Sequence, residues 1–287
     1  MKSPIKYRGG KTREIDYFIN YFPNEFDRYF EPFLGGGAVY FAIEPSIAIL
    51  NDINPKLMLF YKELKNDYIQ MRKQLDELHH LYEENQRAYK NLKHIDPELR
   101  VENRNEKLYY RLRDEFNHPE LSSYLRGVLY YFINKTAYSG MIRYNKNGDY
   151  NVPYGRYENF NTNLLTEEHS NLLQNTELHS VDYCKMFSKA TEKDFMFLDP
   201  PYDCVFNDYG NLEMGDGFNE IHHRRLANDF KNLSCKALMV IGKTPMTFEL
   251  YSAHIKDEYG KSYAVNIRNR FKSTADHIIV TNYNVYK

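Results

Sequence analysis

Apolar positions along this chain follow two different rhythms. Compact runs, each closed by polar or turn-forming residues, predict buried strands at 28–30, 47–50, 178–181, 195–198, 237–241 and 277–280. Helical spacing sets in between them. Ile15, Phe18, Ile19 and Phe22 predict a helix over Thr12–Phe22, Ala38–Ile43 a short one after a glycine run, and Ile221–Phe230 one late in the chain. From Asn54 onward, Leu57, Phe60, Tyr61, Leu64, Tyr68, Met71, Leu75, Leu78 and Tyr82 mark one face of a single long helix. Two further helical patterns follow, on Leu108, Leu112 and Phe116, and on Leu125, Val128, Leu129, Phe132 and Ile133. Alternation then takes over. Met141–Tyr144 and Asp149–Val152 flank Lys146-Asn147-Gly148, and Asn-Gly between such segments is the strongest short hairpin signal. The two ends of the chain therefore read as α/β, and the middle as a charged helical insertion carrying a hairpin.

Charge changes this picture little. With 38 basic and 39 acidic side chains among 287 residues the net charge is −1, which neither requires nor excludes nucleic acid. Locally it is uneven: Arg126, Lys135, Arg143, Lys146 and Arg156 face a single acid, Asp149, between 126 and 156. No stretch approaches a membrane span and no signal-peptide pattern opens the chain, so a cytoplasmic protein with no membrane partner is expected. Cys184, Cys204 and Cys235 lack metal-ligand spacing, which predicts free thiols and no bound metal. The 27 tyrosines, with no tryptophan, offer rings suited to base contacts.

Candidate chemistry concentrates where apolar runs stop. Phe195-Met196-Phe197-Leu198 ends in Asp199-Pro200-Pro201-Tyr202, and two prolines halt a strand by removing donors and fixing φ. Asp199 is thus placed at a carboxyl end, the edge at which open α/β sheets bind ligands. Its carboxylate, the Pro200 carbonyl and the Tyr202 ring suit a flat amino-bearing ring, adenine or cytosine alike. The first strand runs into Glu31-Pro32-Phe33-Leu34-Gly35-Gly36-Gly37, and the second ends in Asn51-Asp52-Ile53-Asn54. Strand, glycine loop, helix, strand and acid make a nucleotide-binding half, but position 40 is tyrosine where a dinucleotide fingerprint wants glycine. A cofactor without a pyrophosphate fits better. Gly35 admits an amino-acid-like moiety and Asp52 accepts from ribose hydroxyls, which describes S-adenosylmethionine; the competing reading of Asp52 is a helix cap before Pro55. Tyr7-Arg8-Gly9-Gly10-Lys11-Thr12 is not a phosphate loop, since position 5 is isoleucine, yet Lys11 could anchor a carboxylate. His222 and His223 diverge on a helix and are expected at the surface or in a cap.

In order and spacing these motifs resemble the Dam-type DNA adenine methyltransferases. The matching stretches are Lys6–Lys11, Phe30–Gly37, Asn51–Asn54, Asn151–Tyr157 and Asp199–Tyr202, which together span nearly the whole chain. The resemblance implies an α/β Rossmann-like S-adenosylmethionine-dependent fold, with residues 1–60 and 176–287 catalytic and 61–175 a DNA target-recognition domain whose hairpin covers about 139–153. It implies cofactor contacts at Tyr7, Lys11, Phe33, Gly35, Asp52, Asp182 and Asp199, with Asp182 on the cofactor's adenine. Lys6, Arg143 and Tyr157 match guanine readers, and Asn145 joins them on double-stranded DNA. The entry to the hairpin departs from the family pattern, reading Ser139-Gly140-Met141, so a GAT-containing site is expected, with GATC leading.

Adenine N6 is a poor nucleophile, so the expected mechanism is base flipping onto Tyr202. Asp199 and the Pro200 carbonyl then accept from the amino group, and the methyl passes in line, leaving S-adenosyl-L-homocysteine. Asp203–Gly217 is expected to close over substrate. A methyltransferase for RNA or a protein amide would leave the Arg143 hairpin without purpose, and an inactive DNA-binding relative would not need Asp199, Tyr202 and Lys11 together. A cognate restriction endonuclease is an optional partner.

Overall fold

The computed structural model describes residues 1–98, 100–202, 218–262 and 274–285. The loop expected to close, Asp203–Gly217, and Cys204 lie outside them; Cys184 and Cys235 are free thiols. In chain order, α1 (Ile15–Phe18) precedes β1 (Tyr29–Glu31), α2 (Ala38–Ile43) and β2 (Ala48–Asn51). Then come α3 (Pro55–Asn66), α4 (Tyr68–Ile95), α5 (Arg104–Asn117) and α6 (Arg126–Thr136). The α/β pattern resumes with α7 (Glu167–Leu173), β3 (Thr176–His179), α8 (Cys184–Phe187) and β4 (Phe195–Leu198). It continues through α9 (Glu220–Lys231), β5 (Lys236–Gly242), α10 (Pro245–Tyr251), β6 (Ile255–Ser262) and β7 (Thr274–Thr281).

The strands form one seven-stranded sheet in the order β3-β2-β1-β4-β5-β7-β6. The first five run parallel, while β7 is antiparallel to both β5 and β6. This is the α/β, Rossmann-like architecture expected of the chain. Alternation along the strands splits the core into two layers. Phe30, Ile49, Met196, Leu198, Met239 and Ile241 face one layer, covered by Leu226 and Phe230 of α9 and Tyr251 of α10. Tyr29, Leu50, Phe195, Phe197, Leu238 and Val240 face the other, which is continuous with the apolar faces of α3, α4, α5 and α6. Each buried ring or aliphatic side chain stabilises by roughly 1.5–3 kcal/mol, so the insertion is welded to the sheet rather than tethered beside it.

Several elements differ from the expected ones. The single long helix is two, because Asn66 and Asp67 favour caps and turns over helix interior; Asp67 leaves helical geometry at φ −126°, ψ 28°. The boundary expected at 60/61 falls inside α3, whose Phe60 and Tyr61 are fully buried. Thr12–Phe22 yields only α1 and a 3-10 turn over Ile19–Tyr21, ahead of Pro23. Helices α7 and α10 and strand β6 carried no sequence signal that set them apart. Between α6 and α7 the chain doubles back: Ala137 bridges Tyr154 and Tyr144 bridges Tyr150, antiparallel. At the tip Asn145 N–H donates to the Asp149 carbonyl at 2.8 Å and Gly148 takes φ +88°.

Candidate active site

The parallel strands all deliver their carboxyl ends to one edge, and the strand order reverses there between β1 and β4. A cleft of about 970 Å³, counting its open mouth, lies at this edge. Its floor begins with the loop after β1. Leu34 N–H donates to the Asn51 carbonyl at 2.9 Å and Gly37 N–H to the Leu34 carbonyl at 2.8 Å, closing a tight turn with Gly35 and Gly37 at positive φ. Gly35 packs against the Tyr7 ring so closely that a Cβ there would lie 2.8 Å from it. Asp52, at the end of β2, braces the turn: Oδ2 accepts from Gly35 N–H and Oδ1 from Asn54 N–H, both at 2.9 Å. Burial pushes the Asp52 carboxyl up to about 6 against those two hydrogen bonds. The cap of α3 is Asn54, whose Oδ1 accepts from Lys56 and Leu57 N–H. Asp52 is therefore not the helix cap.

Opposite stands the prolyl stop of β4. Lys11, only 2% exposed, places Nζ 2.5 Å from Asp199 Oδ1 and 2.6 Å from the Tyr202 hydroxyl. One buried cation thus ties the aspartate to the tyrosine. The sequence offered Lys11 as an anchor for a ligand carboxylate, and here its partner is a carboxylate of the chain itself. Behind Tyr202 its ring tilts onto His277 at 5.1 Å, and His277 stacks on Tyr259 at 5.4 Å. The Tyr259 hydroxyl donates to Glu14 Oε2 at 2.8 Å. This buried column, drawn from both ends of the chain, left no sequence signal.

The third wall comes from the loop after β3. Asn51 holds it in place, its Nδ2 donating to the Pro32 and Val181 carbonyls and its Oδ1 accepting from Val181 N–H. Both Asp182 oxygens accept from the Arg225 guanidinium, at 3.0 and 3.1 Å. Partial burial opposes the Asp182 charge, but hydrogen bonds from Cys184 and Arg225 outweigh it and hold the carboxyl below its usual range. Phe33 meets Tyr183 at 5.4 Å and Phe218 at 6.1 Å, making an apolar wall of ring edges and faces. His222 Nδ1 caps α9 through Asn219, whereas His223 is fully buried against Phe218, not at the surface.

Tyr7, Lys11, Phe33, Gly35, Asp52, Asp182, Asp199, Pro200 and Tyr202, scattered between positions 7 and 202, thus line one cleft. Glu31 and Asn51, which lie inside the matching stretches but were given no role, and Tyr183 and Phe218, which no signal set apart, line or brace it too. The residues expected on DNA lie outside the lining of this cleft. Lys6 Nζ lies over the Tyr157 ring at 4.5 Å, and Asn134 of α6 clamps the Lys6 backbone, accepting from its N–H at 2.8 Å and donating to its carbonyl at 2.6 Å. Exposed Arg143 donates from Nε to Asn151 Oδ1 at 2.9 Å. Asn145 spends its side chain on the hairpin turn, accepting from Asn147 and Asp149 N–H. Burial pushes the nearby Lys135 ammonium down to about 8, assisted by the Lys6 charge.

A cleft of this kind, at the strand-order switch of a mostly parallel sheet and faced by a paired lysine and aspartate, defines a ligand-binding α/β enzyme. The profile of the D12 class N6 adenine-specific DNA methyltransferases matches residues 7–265, and the chain belongs to that family. It is a DNA adenine-N6 methyltransferase, and the likeness to the Dam type holds. It is 33% identical over 290 residues to the type II methyltransferase M.CviBI of Paramecium bursaria Chlorella virus NC1A, covering 99% of this chain and 100% of that one. Type II methyltransferase M.MjaIII of Methanocaldococcus jannaschii is 31% identical over 283 residues, 92% of this chain and 88% of its own. The DNA adenine methylase of Salmonella typhi is 29% identical over 202 residues, 69% of this chain and 64% of its own. No helix among the described residues is long and apolar enough to cross a membrane.

Proposed function

We propose that the chain methylates adenine N6 within GATC or another GAT-containing duplex site, with S-adenosyl-L-methionine as donor, no metal, and a flipped target base. The cleft suits that donor: Asp52 and Asp182 are acceptors for hydroxyl or amino groups, the Phe33–Tyr183–Phe218 wall suits a purine face, and Gly35 brings its backbone and the Tyr7 ring to the cleft wall. When bound, the donor supplies an electrophilic methyl group on a sulfonium.

The remaining work belongs to the chain. Tyr202 stacks the flipped adenine, and Asp199 and the Pro200 carbonyl accept its two amino hydrogens. Two acceptors draw the nitrogen toward a tetrahedral shape and aim its lone pair at the methyl. The N–C bond forms as the C–S bond breaks, and the amino group then loses one proton to solvent. No covalent enzyme intermediate is needed, so orientation and fixed charge supply the rate. The observation that carries this reading is Lys11 Nζ holding Asp199 and Tyr202 together inside the cleft that Gly35 and Asp52 also line.

Residues 1–60 and 176–287 would then perform catalysis, and 61–175 would read DNA through Arg143, Asn145, Lys6 and Tyr157. The type II names of two relatives support a companion endonuclease. Mapping modified bases on plasmid from cells expressing the full chain tests the reading. N6-methyladenine confined to GATC or another GAT-containing site is expected; methylated cytosine, or methyladenine outside any GAT, would overturn it.

A further inference from the structure

Glu31 and Asp52 are the acids of this cleft that no cation bonds among the described residues, and of the two Glu31 is the more deeply buried. Asp199 has Lys11, Asp182 has Arg225, and Asp52 has two backbone donors. Glu31 is 2% exposed and receives two neutral donors on one oxygen, the Tyr29 hydroxyl at 2.8 Å and Tyr40 N–H at 3.1 Å, both to Oε2. It closes β1 one step beyond the Phe30–Met196 register pair, on the strand beside the one that delivers Asp199, and it opens the loop that leads to Gly35. Glu31 thus lines the cleft between the end of β4 and the glycine turn.

We propose that Glu31 discriminates the positively charged sulfonium donor from the neutral thioether product, sitting protonated in the free enzyme and ionising when the donor binds. This inference rests on the methyltransferase reading above. An unpaired carboxylate in such a site is costly, so the acid stays neutral until a cation arrives. Burial pushes Glu31 up to about 8, with Asp199 adding to the rise while the Tyr29 and Tyr40 hydrogen bonds and the Lys11 charge oppose it. Tyr61 of α3 is the further titratable group coupled to it. A sulfonium restores the missing counter-charge and a thioether does not. Product is released once the methyl has gone because its charge has gone with it.

Calorimetric titration of the full chain with S-adenosylmethionine and with S-adenosylhomocysteine, from pH 6 to 9 in buffers of differing ionisation enthalpy, tests this. In the wild type the donor-to-product affinity ratio should climb with pH by up to about tenfold per unit below pH 8, with a proton released for donor only. Glu31→Gln should flatten that ratio and weaken donor binding on the order of tenfold while leaving product affinity intact, which also reports a folded chain. Tyr29→Phe, which removes a donor that favours the ionised form, should move the inflection to higher pH. A wild-type ratio independent of pH, a slope surviving in Glu31→Gln, or an unmoved inflection in Tyr29→Phe would each overturn the role of Glu31. Failure of the wild type to bind either molecule would instead overturn the methyltransferase reading, and this inference with it.

Discussion

That Asp199 would lie at the carboxyl edge of the sheet was legible because two prolines stop the strand before it can continue. What the local chemistry could not show is that a lysine 188 positions away would reach it. Lys11 follows a turn, and its neighbours are glycines and arginine, so nothing nearby distinguishes a buried cation from a solvated one. Their pairing yields two predictions. Asp199→Ala should lower kcat by at least about 10³-fold, since in the proposed mechanism it removes an acceptor that orients the nucleophile; single-turnover rates at saturating cofactor would check it. Lys11→Met should lower kcat by on the order of 10²-fold, because an uncompensated carboxylate beside Tyr202 reorients; single-turnover rates on a cognate duplex would register it.

Elements differ in how plainly they declare themselves. Strands β1, β2, β4 and β5 are buried on both faces, so their runs are continuously apolar and stand out. Strand β6 is an antiparallel edge whose sequence, Ile255–Ser262, mixes charge with apolar residues, and it stays hidden until β7 pairs with it. The break at Asp67 is a local preference outvoted by a long apolar stripe in the sequence and honoured in the fold. The turn at Gly155 shows the reverse dependence: a Cβ there would lie 2.4 Å from the Tyr157 ring and 2.9 Å from the Thr136 and Ala137 carbonyls. Gly155→Ala must therefore push Tyr157 off Lys6. If Lys6 and Tyr157 read a base as proposed, discrimination between the cognate site and one-base variants should fall about tenfold, the scale of one lost base contact, with methylation of the best site less affected; competition kinetics on paired duplexes would check this.

At the scale of the whole molecule, buried acids couple the fold to pH. Glu31 goes from a usual value of 4.5 to about 8 in the folded state, so the stability tied to its proton is present below pH 4.5 and is lost as pH rises through 8. Linkage places the effect at up to about 5 kcal/mol. Asp52, raised from 3.8 to about 6, acts in the same direction over a lower window. Thermal unfolding should thus show stability declining from about pH 4 to 8, with Glu31→Gln abolishing the slope above about pH 6 and reducing it below, and Asp52→Asn reducing it only below about pH 6; a decline unchanged in both variants would refute the assignment. The sequence by itself determined the end of β4, the glycine turn and the hairpin tip, because each depends on backbone chemistry within a few residues, and the family, because its motifs keep their order along the chain, while β3 and β7 were placed only approximately, at 178–181 and 277–280 against Thr176–His179 and Thr274–Thr281. Only the tertiary structure decided that Lys11 meets Asp199, that Asn134 grips Lys6, that Arg225 holds Asp182 and that Glu31 is buried with no bonded cation among the described residues. Those pairings depend on which distant surfaces the sheet order brings together, and charge and burial are properties of that arrangement.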